Sequence, residues 1–248
     1  MVIKEALGFS MRISIDLWRK SKEYFWKRVH EDLEIGYLDR DLLPLLILVN
    51  LDAELYTTSS CSGRIVVMDS DTPWQRDETS IVFKSHVPVE FSEVEFIYRL
   101  EPHRGFWVIV TGPIIHISAL KLKRAVQLLN VARRVGFKHS GIMHVSSSKG
   151  VFVELVTGVY VSQLVRVGSK LLVPRQELRS LVEVMNRVLV EGKNRLQKLY
   201  TELVKILPRV LDKEVNEKVL ELYAGLAGKT PLDIFLELCR EKNRVCEI

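Results

Sequence analysis

Two kinds of hydrophobic period divide this chain, and where each lies constrains the fold more than any other feature. Between Glu54 and Val167 apolar residues come in short, β-branched runs bounded by turn residues. They are Glu54 to Thr58, Arg64 to Met68, Ile81 to Ser85, Phe106 to Thr111, Ile114 to Ile117, Gly141 to Val145, Val151 to Val156 and Val159 to Val167. Runs of this kind read as strands. Outside them the period becomes helical. Leu17, Ser21, Phe25, Val29 and Leu33 mark a stripe on a helix from Ser14, which is placed to cap it, with Ile13 as a staple on Trp18. A second helix starts at Asp39 as N-cap and runs to about Leu51. A short helix near Ser92 to Leu100 and an amphipathic helix capped by Ser118 and stopped at Gly136 interrupt the strands. Pro174 opens a long helix whose stripe runs from Leu178 to Ile206, and two shorter helices follow Pro208. Strands in the middle and helices at both ends imply an α+β (mixed α/β) chain, with a central mixed sheet flanked by helices. It is not an alternating, doubly wound chain.

The 248 residues suffice for one large core. The longest apolar stretch, Leu42 to Leu51, holds Pro44 and Asn50 and is far shorter than the roughly 20 residues of a membrane span. Met1 to Glu5 shows no secretory pattern, so a cytoplasmic protein is expected. The three cysteines, Cys61, Cys239 and Cys246, make no disulfide framework. On a continuous helix Cys239 and Cys246 stand too far apart to bridge. No His or Cys cluster has zinc spacing, so no metal is expected. The net charge is +5, but its placement matters more. Lys121, Lys123, Arg124, Arg133, Arg134 and Lys138 follow one another with no acid between Ser118 and Lys138. Such a cluster either attracts a phosphate backbone or is a solvated helix face.

The segment Thr57-Thr58-Ser59-Ser60-Cys61-Ser62-Gly63-Arg64 is the strongest local signal. Six hydroxyl or thiol side chains end in Gly-Arg between two strands. Small polar residues and a glycine let backbone amides approach a ligand, and Arg64 offers a planar fork to a carboxylate or phosphate. An ordinary Ser-rich turn is the alternative. Cys61 has no base identifiable in sequence, so a small buried thiol is favoured over a nucleophile. Ser146 to Gly150 reads as a flexible turn. There is no G-x-G-x-x-G, so the residues alone point away from a doubly wound nucleotide site.

The string from Thr57 to Ile65 resembles the signature of the third wybutosine-synthesis protein family, also found in archaea. Ser85-His86, Pro113 with His116, Gly136-Phe137, Ser140-Gly141-Ile142, Gly158, Asn186 and Tyr200 follow in family order. The likeness covers about residues 14 to 206. It implies a domain over 1–206 and a C-terminal helical extension over 207–248. It also implies methyl transfer from S-adenosylmethionine to a ring nitrogen of the tricyclic 4-demethylwyosine-type base beside the anticodon of phenylalanine tRNA, on a fold unrelated to the doubly wound methyltransferases. On that resemblance Ser59, Ser60, Cys61, Ser62, Gly63, Arg64, Ser140 and Gly141 surround cofactor or base. His86 and His116 orient the base or take a proton, and Lys121 to Lys138 hold anticodon stem-loop phosphates. Trp107 is a further stacking candidate. The chain departs from the family at Glu34-Ile35-Gly36, at Val110 to Pro113, and at Glu154 to Tyr160, where an acid replaces an arginine. Those departures open a second reading, a paralogue that binds tRNA or nucleotide without catalysis.

Overall fold

The computed structural model describes residues 12–75, 78–207, 222, 224–226 and 228–246. Helix α1 spans Ile15–Glu34, a 3-10 turn covers Arg40–Leu42, and α2 spans Leu43–Asn50. Two strands follow, β1 (Leu55–Cys61) and β2 (Arg64–Asp69), then β3 (Ser80–Ser85) and α3 (Phe91–Val94) with a 3-10 turn at Glu95–Tyr98. Next come β4 (Gly105–Thr111), β5 (Ile114–Ala119), α4 (Leu122–Arg134), β6 (Gly141–Ser146), β7 (Gly150–Val156), β8 (Tyr160–Val167) and β9 (Lys170–Leu171). The long α5 spans Arg175–Ile206, and α6 spans Pro231–Glu241. The α+β class is as expected from the patterning. The strands, however, form two sheets, ordered β1-β5-β7-β6 and β3-β2-β4-β8-β9, and every pairing among them is antiparallel.

Three strand connections explain the split. Ser62-Gly63 joins β1 to β2, Gly112-Pro113 joins β4 to β5, and residues 157–159 join β7 to β8, each carrying the chain from one sheet to the other. Small residues are required where these corners meet. A Cβ on Gly63, whose φ is +94°, would lie 2.7 Å from the Thr111 carbonyl oxygen. One on Gly192 of α5 would press on Gly112 Cα and Pro113 Cδ at 3.2 Å. The 32-residue α5 is about 48 Å long and crosses both sheets. Its N-terminal half buries Leu178, Val182, Met185 and Leu189 against β2, β4 and β8, and its C-terminal half buries Leu196, Leu199 and Leu203 with α2, α4 and the β1 sheet.

On the other face of the β1 sheet α1 lies over Tyr56. Phe25 stacks on Tyr56 at 5.6 Å, and Trp18 Nε1 donates to Ser118 Oγ at 3.1 Å. The stripe expected on α1 holds from Ser21 to Leu33 but not at its start, where Trp18 is buried and Leu17 is about half exposed. The expected caps also differ. Ser14 stands at the N-cap of α1 without a side-chain cap bond, and Lys121, not Ser118, precedes α4. Ser118 sits instead in β5, where its hydroxyl donates to the Lys149 carbonyl, which also accepts from Tyr56 Oη at 3.1 Å. The turn at Ser146 to Gly150 is thus tied to the sheet.

Cys239 and Cys246 form a disulfide, against the expectation from helical spacing. Helix α6 ends at Glu241, and Asn243 takes a left-handed φ of +52°. Arg244 N–H then donates back to the Cys239 carbonyl at 2.8 Å, which folds the tail onto the helix and brings the sulfurs together. Arg244 reaches Glu93 at 2.6 Å, and Phe235 and Cys239 pack on Val87, fixing α6 to the body. The first helix expected beyond Pro208 lies largely outside the described residues. Among the described residues no helix is long and apolar enough to cross a membrane.

Candidate functional site

The polar octet from Thr57 to Arg64 is strand rather than loop up to Cys61, and a bulge divides its roles. Thr57 pairs with Ile117 and Ser60 with Ile115, so β1 carries one extra residue around Thr58 and Ser59. A bulge of this kind turns side chains out of the ladder's alternation. Ser59 is exposed and meets His116, whose Nδ1 lies 3.0 Å from Ser59 Oγ and 2.9 Å from the Ser59 carbonyl oxygen. His116 and Glu154 are direct partners across β5 and β7, so their side chains leave one face side by side. His116 Nε2 stands 3.0 Å from Glu154 Oε1. With that nitrogen donating to the carboxylate, Nδ1 accepts the Ser59 hydroxyl proton. Once protonated, Nδ1–H donates to the Ser59 carbonyl. Both charge states of the imidazole therefore find partners.

Beside Ser59 a cavity of about 310 Å³ opens between α1 and β1. Tyr24, Phe25 and Tyr37 bring aromatic faces to it, Thr58, Ser59 and Ser60 bring hydroxyls, and Arg28 and Asp32 bring opposite charges held 2.9 Å apart. Its size lies at the lower end of small-molecule sites.

The second half of the octet faces inward. Ser62 is buried, its N–H donating to Asp39 Oδ2 at 2.8 Å. Asp39 was expected to cap the second helix, but its carboxylate is drawn to this amide, and the helix begins without a side-chain cap. Lys193 of α5 is 1% exposed and donates to Asp41 Oδ2 at 2.7 Å, Ser62 Oγ at 2.6 Å and the Gly63 carbonyl at 3.3 Å. Phe235 of α6 lies over its ammonium group at 5.3 Å. A buried charge needs this many partners, because desolvation is otherwise prohibitive. Asp41 Oδ1 is left without a hydrogen-bond partner among the described residues. His86 reaches the same node, with Nδ1 3.1 Å from the Gly63 carbonyl and Nε2 3.3 Å from Asp39 Oδ1. Burial holds its basicity below the ordinary histidine value, outweighing the Asp39 charge. Burial likewise pushes the Cys61 thiol up to about 11, with Asp39 acting in the same direction. Cys61 stays protonated at neutral pH, which suits a thiol more than a nucleophile.

The expected site residues thus separate. Ser59 and Ser60 line the cavity with His116 bonded to Ser59, and Cys61, Ser62, Gly63 and His86 gather at the buried node. Arg64 opens β2 half-buried, and its side chain forms no hydrogen bond or ion pair among the described residues. Ser140 lies elsewhere: its buried hydroxyl donates to the Phe137 carbonyl and accepts from Val156 N–H, while Gly141 pairs with Glu154. Trp107 donates to the Ser70 carbonyl within its sheet. On α4 the basic cluster is not uniformly free. Lys121 is paired with Glu54, and Arg124 is largely buried against Asp52, whereas Lys123, Arg133, Arg134 and Lys138 are exposed. Sequence reasoning gave no role to Lys193, Asp41 or Glu154. Lys193 did carry a signal, as it falls four residues after Leu189 and three before Leu196 on an otherwise apolar stripe.

Known proteins resemble this chain over most of its length. A protein of Saccharolobus solfataricus named tRNA(Phe) 7-((3-amino-3-carboxypropyl)-4-demethylwyosine(37)-N(4))-methyltransferase is 39% identical over 217 residues, 87% of this chain and 99% of that protein. A protein of the same name from Aeropyrum pernix is 36% identical over 66% of this chain and 86% of its own length. The structure of PH1069 from Pyrococcus horikoshii superposes with a TM-score of 0.71 at 30% identity, covering 76% of this chain and 97% of that one. A crystal structure of a hypothetical protein from Aeropyrum pernix gives 0.60 at 31% identity, covering 69% and 99%. The family model for Methyltransferase TYW3 matches residues 20–205, and the chain belongs to that methyltransferase family.

Proposed function

We propose that this chain methylates N4 of the 7-(3-amino-3-carboxypropyl)-4-demethylwyosine at position 37 of tRNA(Phe), the reaction named for its relatives. The methyl donor is S-adenosylmethionine, which supplies an electrophilic methyl group at its sulfonium sulfur. The cavity beside Ser59 fits such a donor. Its aromatic faces suit a purine, its hydroxyls a ribose, and the Arg28–Asp32 pair a zwitterionic amino-acid end. Arg64, half-buried and unpaired among the described residues, completes the ligand-binding set from the neighbouring strand.

The observation that carries the reading is the Ser59–His116–Glu154 chain, which starts from Ser59 on the cavity wall. N4 of a 4-demethyl base carries hydrogen where the product carries methyl. As the N–C bond forms, that proton must leave. The Ser59 hydroxyl and His116 give it a path, and Glu154 on the far nitrogen stabilises the imidazolium. Much of the remaining rate comes from holding donor and acceptor in line. The acid at position 154, a departure from the family pattern, is thus the partner of His116, which fits an active enzyme. His86 has no part in this path and acts within the buried node.

Lys123, Arg133, Arg134 and Lys138 are assigned to the phosphates of the anticodon stem-loop; Lys121 and Arg124 are committed to acids. Residues 1–206 form the methyltransferase domain, and 207–248 form an extension whose α6 covers Lys193. The test is nucleoside mass spectrometry of precursor tRNA(Phe) incubated with the protein and S-adenosylmethionine. A nucleoside heavier by one methyl group, lost in Arg64→Ala, is expected. Bound tRNA without a new nucleoside overturns the assignment.

A further inference from the structure

Outside the methyl-transfer path, three side chains from separate segments converge at the β1–β2 corner. Asp39 precedes the 3-10 turn, Cys61 ends β1, and His86 follows β3. One ligand atom from each lies within 4.8 Å of the others. We propose that Asp39, Cys61 and His86 form a site for a thiophilic tetrahedral divalent cation, zinc by preference, with its fourth position open.

Two of the three ligands are already oriented by a hydrogen bond on their other side. Asp39 Oδ2 accepts from Ser62 N–H at 2.8 Å, which leaves Oδ1 directed at His86. His86 Nδ1–H donates to the Gly63 carbonyl at 3.1 Å, which leaves the Nε2 lone pair directed at Asp39 Oδ1. Backbone carbonyls commonly fix metal-bound histidines this way. A neutral imidazole has one N–H, and once Gly63 takes it, Nε2 and Oδ1 face each other as two acceptors. Their separation is 3.3 Å. That is long for a charge-assisted hydrogen bond, typically about 2.7–2.9 Å. It does match the distance of about 3.3 Å between two ligands that each stand 2.0–2.1 Å from a tetrahedral zinc. Cys61 is the one free thiol among the described residues and supplies the soft ligand, releasing its proton to solvent on binding. The Lys193 ammonium offsets the nearby Asp41 carboxylate, so Asp39 and the Cys61 thiolate supply the negative charge that balances the ion. An ion held here ties the α2 turn, the sheet-crossing corner and the end of β3 together.

The test uses the full chain, stripped of metal by chelation and titrated with Co²⁺. We expect about one equivalent to bind with a thiolate-to-cobalt charge-transfer band and the visible intensity of four-coordinate cobalt, displaced by Zn²⁺. Cys61→Ser abolishes the band, and Asp39→Asn and His86→Gln each weaken binding about tenfold or more, while Cys239→Ser with Cys246→Ser retains it. No band, a six-coordinate spectrum, or a band surviving Cys61→Ser overturns the proposal. If Cys61→Ser fails to fold, maleimide labelling of the parent protein decides: Zn²⁺ slows Cys61 alkylation about tenfold or more if the thiol is a ligand, and an unchanged rate overturns the site. Neither readout depends on methyl transfer.

Discussion

Ser59 and Ser62 stand three residues apart and end in opposite settings. Ser59 is exposed on a bulge, joined to His116 and Glu154 beside a cavity. Ser62 is buried, clasped by Lys193 and held through its amide by Asp39. Both clusters pair a cation-capable side chain with a carboxylate. The medium separates them. At the half-buried His116–Glu154 pair water still reaches the charges, so opening it costs less than at the fully buried Lys193–Asp41 pair and its groups are freer to move a proton. At the buried cluster the same kind of pair is costly to open and serves to hold a corner. The difference shows that a polar motif read as one site divides into a chemical half and a structural half, and burial decides which is which.

The largest effect that tests this division is on stability. Lys193→Ala strands the Asp41 carboxylate and should cost about 3–5 kcal/mol in denaturant unfolding. Lys193→Met with Asp41→Leu should recover much of that loss; a loss under 1 kcal/mol for the single variant would break the comparison. His116→Gln should instead leave stability within about 1 kcal/mol and lower the single-turnover methylation rate about 100-fold, the lower bound for general acid–base catalysis. Equal loss of stability would place His116 with the structural half. Gly63→Ala sits where the halves join. Its φ of +94° and the Thr111 oxygen 2.7 Å from an added Cβ predict a loss of about 1–3 kcal/mol by calorimetry. Glu154→Gln keeps the shape but removes the charge, and a drop of about tenfold in rate with unchanged tRNA affinity is expected. The smallest effect belongs to α4. Charge reversal at Lys123, Arg133 and Arg134 should flatten the salt dependence of tRNA binding, measured by filter retention, whereas reversal at Arg124 should act on stability.

Much of this fold was legible in the sequence, because period follows from how many faces of an element are buried. The strands, the α4 stop at Gly136 and the run of α5 all carry local patterns. The division into two sheets was not legible. In sequence Ser62-Gly63 and Gly112-Pro113 only interrupt strands, and their mutual packing is what makes them sheet crossings. The caps at Ser14, Asp39 and Ser118 failed for a related reason. Each hydroxyl or carboxylate was in position to cap, and the last two found distant partners instead. Within the site, His116 was visible through its family position. Its partner Glu154 stood out only as a departure, since a cross-strand pair 38 residues apart leaves no local trace. The disulfide was missed because Asn243, not a glycine, reverses the chain.

The sheet crossings bear on how the molecule comes apart. Three continuous stretches of chain each contribute a strand to both hydrophobic cores, and α5 buries side chains in both. The two sheets share no strand, but three tight crossings and one helix join them, so unravelling one sheet loosens strands anchored in the other. Amide hydrogens deep in each sheet, such as those of Val66 and Val153, should then exchange through a single global opening with one common free energy.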